Sequence, residues 1–147
     1  MVDVSDKPPT LRRAVAVGHV RCSGELRERI AAHTLAKGNL LETARLAGIL
    51  AAKRTAELIP LCHTLALDHV EVEATLDVGG VALRAIVRAT GRTGVEMEAL
   101  TAVSVAALTV IDMGKAVDPA MVIEQVMLIE KTGGKSGVFR RDPERPA

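Results

Sequence analysis

Apolar and β-branched positions first alternate between residues 12 and 21, RRAVAVGHVR, where Val15, Val17 and Val20 predict a strand. Ser23 then stands at a helix start, with Leu26 and Ile30 on one face, and this short helix is expected to end near His33. Lys37-Gly38-Asn39 reads as a turn. Asn39 suits the cap of a second helix, and Glu42 would close a capping box. Leu41, Ala44, Gly48 and Ala51 or Ala52 recur at helical spacing, so that helix is expected to run to about Leu58 and stop before Pro60. Leu61-Cys62-His63-Thr64 follows as an irregular segment.

Polar and apolar residues alternate strictly in HVEVEA, residues 69–74, the mark of a half-buried strand. Past Gly79-Gly80 the pattern returns, with Val81, Leu83, Ala85 and Val87 on one face and Arg84 and Arg88 on the other, which predicts a β-hairpin. The longest helix is expected over 95–113, striped by Leu100, Val103, Ala107 and Val110 or Ile111 and ended near Gly114. A fourth strand is read at 121–130. Residues 131–137 are expected to be a flexible cationic tail, and the chain to fray at about 1–9 and 140–147. The order strand, helix, helix, hairpin, helix, strand specifies an α+β ferredoxin-like sandwich. It has an antiparallel four-stranded sheet, helices packed on one face and an extra helix in the first crossover. That fold hosts many activities and decides none.

The length, 147 residues, suits one domain spanning 1–147. Hydrophobic residues at 48% and charged residues at 25% exclude a disordered tail. The only aromatic residue is Phe139, which removes ring stacking as a way to read RNA. A net charge of +1 is too small for a DNA-binding field, so no nucleic-acid partner is expected. Cys22 and Cys62 fit neither a disulfide framework nor a zinc spacing, and a reduced, cytoplasmic protein is expected. The start, MVDVSDKPP, lacks the apolar core of a signal peptide, and no charge-free stretch of about 20 residues predicts a membrane span. The apolar share comes mainly from Ala, Val and Leu, whose small size favours close packing and assembly with further copies.

Asp112 and Lys115, one turn apart at the end of the long helix, share a face. Spacing alone fits a surface ion pair. The apolar run 106–111 before them puts the pair at the rim of a core and favours an acid/base reading, in which the carboxylate holds the amine in place. Lys37, Lys131 and Lys135 sit beside glycines, singly as solvated side chains or together as an anion site. Gly133-Gly134-Lys135-Ser136 fails as a P-loop, because Ile129 stands where the first glycine is required and no helix follows. Cys62 reads as a small buried residue and His63 as a donor or acid/base group. His19, His33 and His69 have no cluster spacing, so no metal ligand set is expected. Glu96 and Glu98 open the long helix, where carboxylates favour the dipole. Glu98 and Asp112 lie about 21 Å apart along one straight helix axis. They can serve one small pocket only if a second subunit brings its own helix end in, which predicts a site between subunits.

The segments MVDVSDK at 1–7, KGNLLETARLAGILAAKRTAELIPLCHTL at 37–65, TGRTGVEMEALTAVSVAALTVIDMGKAV at 90–117 and KTGGKSG at 131–137 strongly resemble the molybdenum cofactor biosynthesis protein C family, the cyclic pyranopterin monophosphate synthases. The resemblance covers nearly the whole chain. It implies a lyase that converts 3′,8-cyclo-7,8-dihydroguanosine 5′-triphosphate into cyclic pyranopterin monophosphate and releases pyrophosphate, an early step of molybdenum cofactor synthesis. It also implies the ferredoxin-like fold and a homohexamer, a trimer of dimers with the site at the dimer interface.

Carried over by motif, Asp112 corresponds to the family's catalytic aspartate and Lys115 to the lysine after it. Lys37 and Lys131 match site lysines. Leu61, Cys62, His63, Met97 and Glu98 match the segments that hold substrate, and Arg12, with Arg13 beside it, aligns with a site arginine. No tightly bound cofactor is implied; a triphosphate can bring Mg2+ with it, without a dedicated carboxylate cage. The partner is a small nucleotide-derived substrate, with no membrane involved. A nucleotide-binding regulatory module and a structural member of a biosynthetic complex are the competing readings. The full set of Lys37, His63, Asp112, Lys115 and Lys131 disfavours both, because a binder needs no acid/base pair. The chain departs from the family's pattern at Asn39, commonly aspartate, at Thr64, frequently proline, and at Gly114 inside the D-M-x-K pattern.

Overall fold

The computed structural model describes residues 1–135 and 137–142. Strand β1, Thr10–Arg21, is followed by helices α1, Gly24–Ala31, α2, Leu40–Lys53, and the single turn α3, Thr55–Leu58. The hairpin of β2, His69–Leu76, and β3, Gly80–Gly91, leads into α4, Glu96–Gly114. Strands β4, Val122–Thr132, and β5, Phe139–Arg140, complete the order. The sheet runs β2-β3-β1-β4-β5, with every neighbouring pair antiparallel. Without β5 this is the expected ferredoxin-like sandwich.

The element starts follow the capping chemistry. Ser23 Oγ accepts from Leu26 N at 3.3 Å, and Asn39 Oδ1 accepts from Glu42 N at 3.2 Å. The reciprocal half of the capping box is not made, because Arg45 in the next turn draws the Glu42 carboxylate to it at 2.9 Å. Helix α1 stops short of His33, which takes a left-handed φ of 54°. Helix α2 ends at Lys53 instead of continuing to Leu58. Arg54 leaves the helical backbone there, at φ −114° and ψ 15°, and the buried Thr55 hydroxyl donates to the carbonyls of Ala51 and Ala52 across the break. In the hairpin turn, Asp77 Oδ1 accepts from both Gly79 N and Gly80 N at 2.8 Å.

The tail departs most from expectation. Glycines 133, 134 and 137 all have positive φ, and they turn the chain back so that Lys131 pairs with Phe139 and Glu130 with Arg140. The sheet therefore has five strands rather than four, and Lys131 belongs to β4 rather than to a loose tail. Arg141 extends the contact, its N donating to Ile129 O at 2.8 Å. Residues 143–147, the rest of the stretch expected to fray, lie outside the described part.

Helix α4 is the spine of the core. Its Ala99, Ala102, Val103, Ala106, Ala107 and Val110 are fully buried, facing Ala14, Ala16 and Val20 of β1 and Val81, Leu83, Ala85 and Val87 of β3. Among the described residues α4 alone has the length and hydropathy of a membrane span. Its apolar character is accounted for by this position, covered by the sheet and by α2. Alanines bring α2 and α4 together, and Gly48 sets the closest approach. A Cβ there would lie 2.9 Å from Ala102 O and 3.2 Å from a methyl of Val72. Gly48→Ala is therefore expected to lower stability by about 1–3 kcal/mol, read as a lower urea midpoint at unchanged slope. A midpoint equal to the parent's would show that the helices separate at no cost.

Candidate functional site

The head of α4 opens on a cavity of about 710 Å3, within the range of ligand pockets. Six cationic side chains stand in its wall, Lys7, Arg12, Arg13, Arg92, Lys131 and Lys135, against one carboxylate, Glu96. The sheet and its loops supply them. Arg12 lies on β1, Lys131 on β4, Arg92 in the β3–α4 loop and Lys135 in the glycine loop after β4. Two are ion-paired: Arg13 with Glu130, and Lys131 with Glu96 at 2.9 Å. Among the described residues Arg12 donates only to main chain, to Gly91 O and Arg92 O at 3.4 Å. Among the described residues the side chains of Lys7, Arg92 and Lys135 have no hydrogen-bond or ion-pair partner. The wall thus keeps an excess of positive charge for an anion.

The glycine loop owes its composition to this wall. Gly134, at φ 72°, lies so close over Arg12 that a Cβ would sit 1.6 Å from the guanidinium Nη1. The guanidinium could swing aside for a Cβ, but the left-handed backbone at Gly134 favours glycine as the chain crosses to bring Lys135 to the cavity.

Leu61, Cys62, His63, Met97 and Glu98 line a smaller recess of about 140 Å3 that shares Leu61, His63, Thr93, Gly94 and Glu96 with the large cavity. Glu98 is only 4% exposed. Burial, reinforced weakly by Glu96, raises its pKa above the usual carboxylate range. Burial, with Glu98 beside it, also raises that of the Cys62 thiol, which favours the thiol over the thiolate nucleophile. Cys62 is half-buried rather than fully buried, and both cysteines are free. His63 Nε2 lies 2.9 Å from Val2 O; a carbonyl only accepts, so the ring nitrogen donates.

The other predicted residues gather at the far end of α4. Asp112 Oδ1 accepts from Lys115 Nζ at 2.8 Å, and its Oδ2 from Lys37 Nζ at 2.6 Å. Lys37 Nζ also donates to the Asp112 carbonyl at 3.0 Å. All three side chains are about half exposed or more. The hydrogen bonds from Lys115 and then Lys37 bring the Asp112 carboxyl down to about 2. Asp112 therefore stays ionised through mild acid, and its ion pairs are lost only as pH falls toward that value. Gly114 lies within α4, and its carbonyl accepts from Val117 N and Asp118 N, closing the helix end.

Within one chain, then, Arg12, Leu61, Cys62, His63, Met97, Glu98 and Lys131 come together, while Lys37, Asp112 and Lys115 form a second group. Lys37 lies apart from Lys131 and Lys135. Sequence reasoning passed over Lys7 and Arg92. Arg92 had a signal, an arginine in a glycine-flanked loop before a helix; Lys7 had none, because only the fold of the arm brings it to the cavity. Among the described residues no group of three or more His, Cys, Asp and Glu side chains is arranged to hold a metal.

A protein-family model described as the MoaC family matches residues 1–134. A protein of Roseiflexus sp. (strain RS-1) is 58% identical over 144 residues, covering 97% of this chain and 91% of its own. One of Parvibaculum lavamentivorans is 57% identical over 142 residues, covering 95% and 89%. One of Thermoanaerobacter sp. (strain X514) is 49% identical over 144 residues, covering 97% and 91%. Each of these relatives is named cyclic pyranopterin monophosphate synthase.

The raised pKa of Glu98 has a measurable consequence. A carboxyl raised in the folded state contributes its stability below the ordinary carboxylate range and loses it as pH rises through the folded value. Glu98→Gln, which cannot ionise, is expected to melt above the parent at about pH 7.5, the difference closing toward about pH 4. Equal melting temperatures at both values would show that Glu98 ionises without cost.

Proposed function

The chain belongs to the MoaC family, and from that premise we propose that it is a cyclic pyranopterin monophosphate synthase, a lyase that acts on 3′,8-cyclo-7,8-dihydroguanosine 5′-triphosphate and releases pyrophosphate in molybdenum cofactor synthesis. The observation that carries this reading is the cavity at the head of α4, walled by six cationic side chains and one carboxylate. A triphosphate suits such a wall. Arg12, Lys131 and their neighbours neutralise it and stabilise pyrophosphate as it leaves. Any Mg2+ enters on the phosphate oxygens. In the adjoining recess Glu98, its protonated form favoured by burial, and His63 hold the guanine-derived edge, and Leu61, Cys62 and Met97 contact the ring faces.

Opening the purine and rebuilding it as a pterin requires repeated proton transfers. Lys115 is the group we assign to them. Asp112 anchors its amine, and Lys37 on the second carboxylate oxygen keeps that carboxylate fixed between two donors. These amines stand at the opposite end of α4 from the recess, about 21 Å along the axis. A complete site therefore joins the head of one α4 to the foot of another, which supports a dimer with shared sites; the homohexamer, three such dimers, rests on the family resemblance alone. The two free cysteines suit the reducing cytoplasm.

Pyrophosphate release from the cyclic dihydro-GTP substrate tests the assignment. Asp112→Asn and Lys115→Ala are each expected to lose at least about a hundredfold in kcat at matched assembly state. No release by the well-folded parent would overturn the synthase reading. Shared sites make a separate prediction. Co-expression of Asp112→Asn with Lys131→Ala, each inactive alone, should restore about one quarter of parental activity, since half of randomly formed dimers carry one intact site of two. No restoration in mixed assemblies would place both groups in one subunit's site.

A further inference from the structure

Residues 1–9 form an arm that the reaction as described leaves unused. The arm is folded mostly on itself: Ser5 N and Oγ donate to Asp3 Oδ1 at 2.9 and 2.7 Å, and Lys7 N donates to Val4 O at 3.1 Å. Pro8-Pro9 then stiffens the junction with β1. Among the described residues one hydrogen bond ties the arm to the rest of the molecule, from His63 Nε2 to Val2 O. Apolar burial anchors little of it: Val2 is 71% exposed and Met1 more so, and Val4 alone of the arm's apolar side chains is half-buried. Yet Val2, Val4 and Lys7 all line the large cavity.

Two facts then conflict. His63, a residue assigned to substrate, already spends its Nε2 hydrogen on the arm. A ligand that takes that hydrogen must release Val2. Lys7, meanwhile, lines the cavity with Arg12, Arg92 and Lys135, and the one carboxylate of the wall, Glu96, is taken by Lys131, so without an anion the Lys7 ammonium stands among like charges. A bound polyanion reverses that sign and draws Lys7 in. A segment tied by one exposed hydrogen bond has little local stability to resist the exchange.

We propose that residues 1–9 are a strap which leaves His63 when substrate binds and is recaptured through Lys7, a binding residue for the terminal phosphates. The strap closes the cavity over the triphosphate and opens again as pyrophosphate leaves. This rests on the synthase reading, which supplies the triphosphate.

The test uses inorganic pyrophosphate on the full chain, apart from turnover. Lys7→Ala is expected to weaken pyrophosphate binding roughly tenfold by calorimetry, with Lys7→Arg close to the parent. Its loss with the nucleotide substrate should fall on KM more than on kcat. Hydrogen exchange reads the arm directly. In the parent, pyrophosphate should raise protection of the amides of residues 3–7; in Lys7→Ala, where no ammonium draws the arm to the anion, protection should not rise. Equal affinity and equal protection in parent and Lys7→Ala overturn the strap, whether or not the parent turns over substrate. A parent that fails to bind pyrophosphate also overturns it. A parent that binds pyrophosphate and protects the arm through Lys7, but releases none from substrate, supports the strap while overturning the synthase.

Discussion

Ala99, Ala102, Val103, Ala106, Ala107 and Val110 seat α4 between the sheet and α2, and the candidate site residues are positioned relative to one end of that helix or the other. The fit depends on small side chains. Gly48 and the alanines of α2 admit the α4 backbone closely, and Ala14 and Ala16 do the same from β1. A buried valine contributes about 1.5–3 kcal/mol, so the helix cannot slide or tilt without losing several such contacts together. The head of α4 is thereby held against the ends of β1 and β4 and the loop from β3, where the cationic cavity forms. Its foot is held against the α1–α2 turn that carries Lys37.

The two ends use charge in opposite ways. At the foot a single carboxylate serves two ammonium groups, which satisfies the local field and fixes side-chain direction in an exposed place. Isolated surface pairs of this kind contribute little to stability, so the geometry matters more for orientation than for folding. At the head cations outnumber carboxylates, and the surplus is held apart by backbone, by the Gly91 and Arg92 carbonyls and by the glycine loop over Arg12. Such a wall is costly while empty and becomes favourable when a polyanion enters.

Much of this was legible in the residues. Alternation in HVEVEA and the Gly79-Gly80 break marked the hairpin, Ser23 and Asn39 marked two helix starts, and the run from 95 to 113 marked α4. The remainder depended on contacts that spacing cannot express. Helix α2 stopped where Arg54 leaves the helical backbone, short of the stop that Pro60 announced. Three positive-φ glycines returned the tail to β4 as β5, where composition had suggested only looseness. In the site, the grouping of Leu61, Cys62, His63, Met97 and Glu98 followed from motif resemblance, and the pairing of Asp112 with Lys115 from helical spacing. Lys37 on Asp112 and Lys7 on the cavity wall arise from chain segments far apart in sequence, and no periodicity announces them.

The core of Ala, Val and Leu has one further consequence. With no Trp or Tyr and only Phe139, itself partly exposed at the sheet edge, the protein is almost transparent in the near ultraviolet and has no useful intrinsic fluorescence. A ligand that carries a purine or pterin ring would then be the dominant chromophore of its complex. Its absorption, and the optical activity it acquires in a chiral pocket, report on ligand alone. A protein that packs without rings gives an experimenter a dark background against which the chemistry of its ligand can be watched directly.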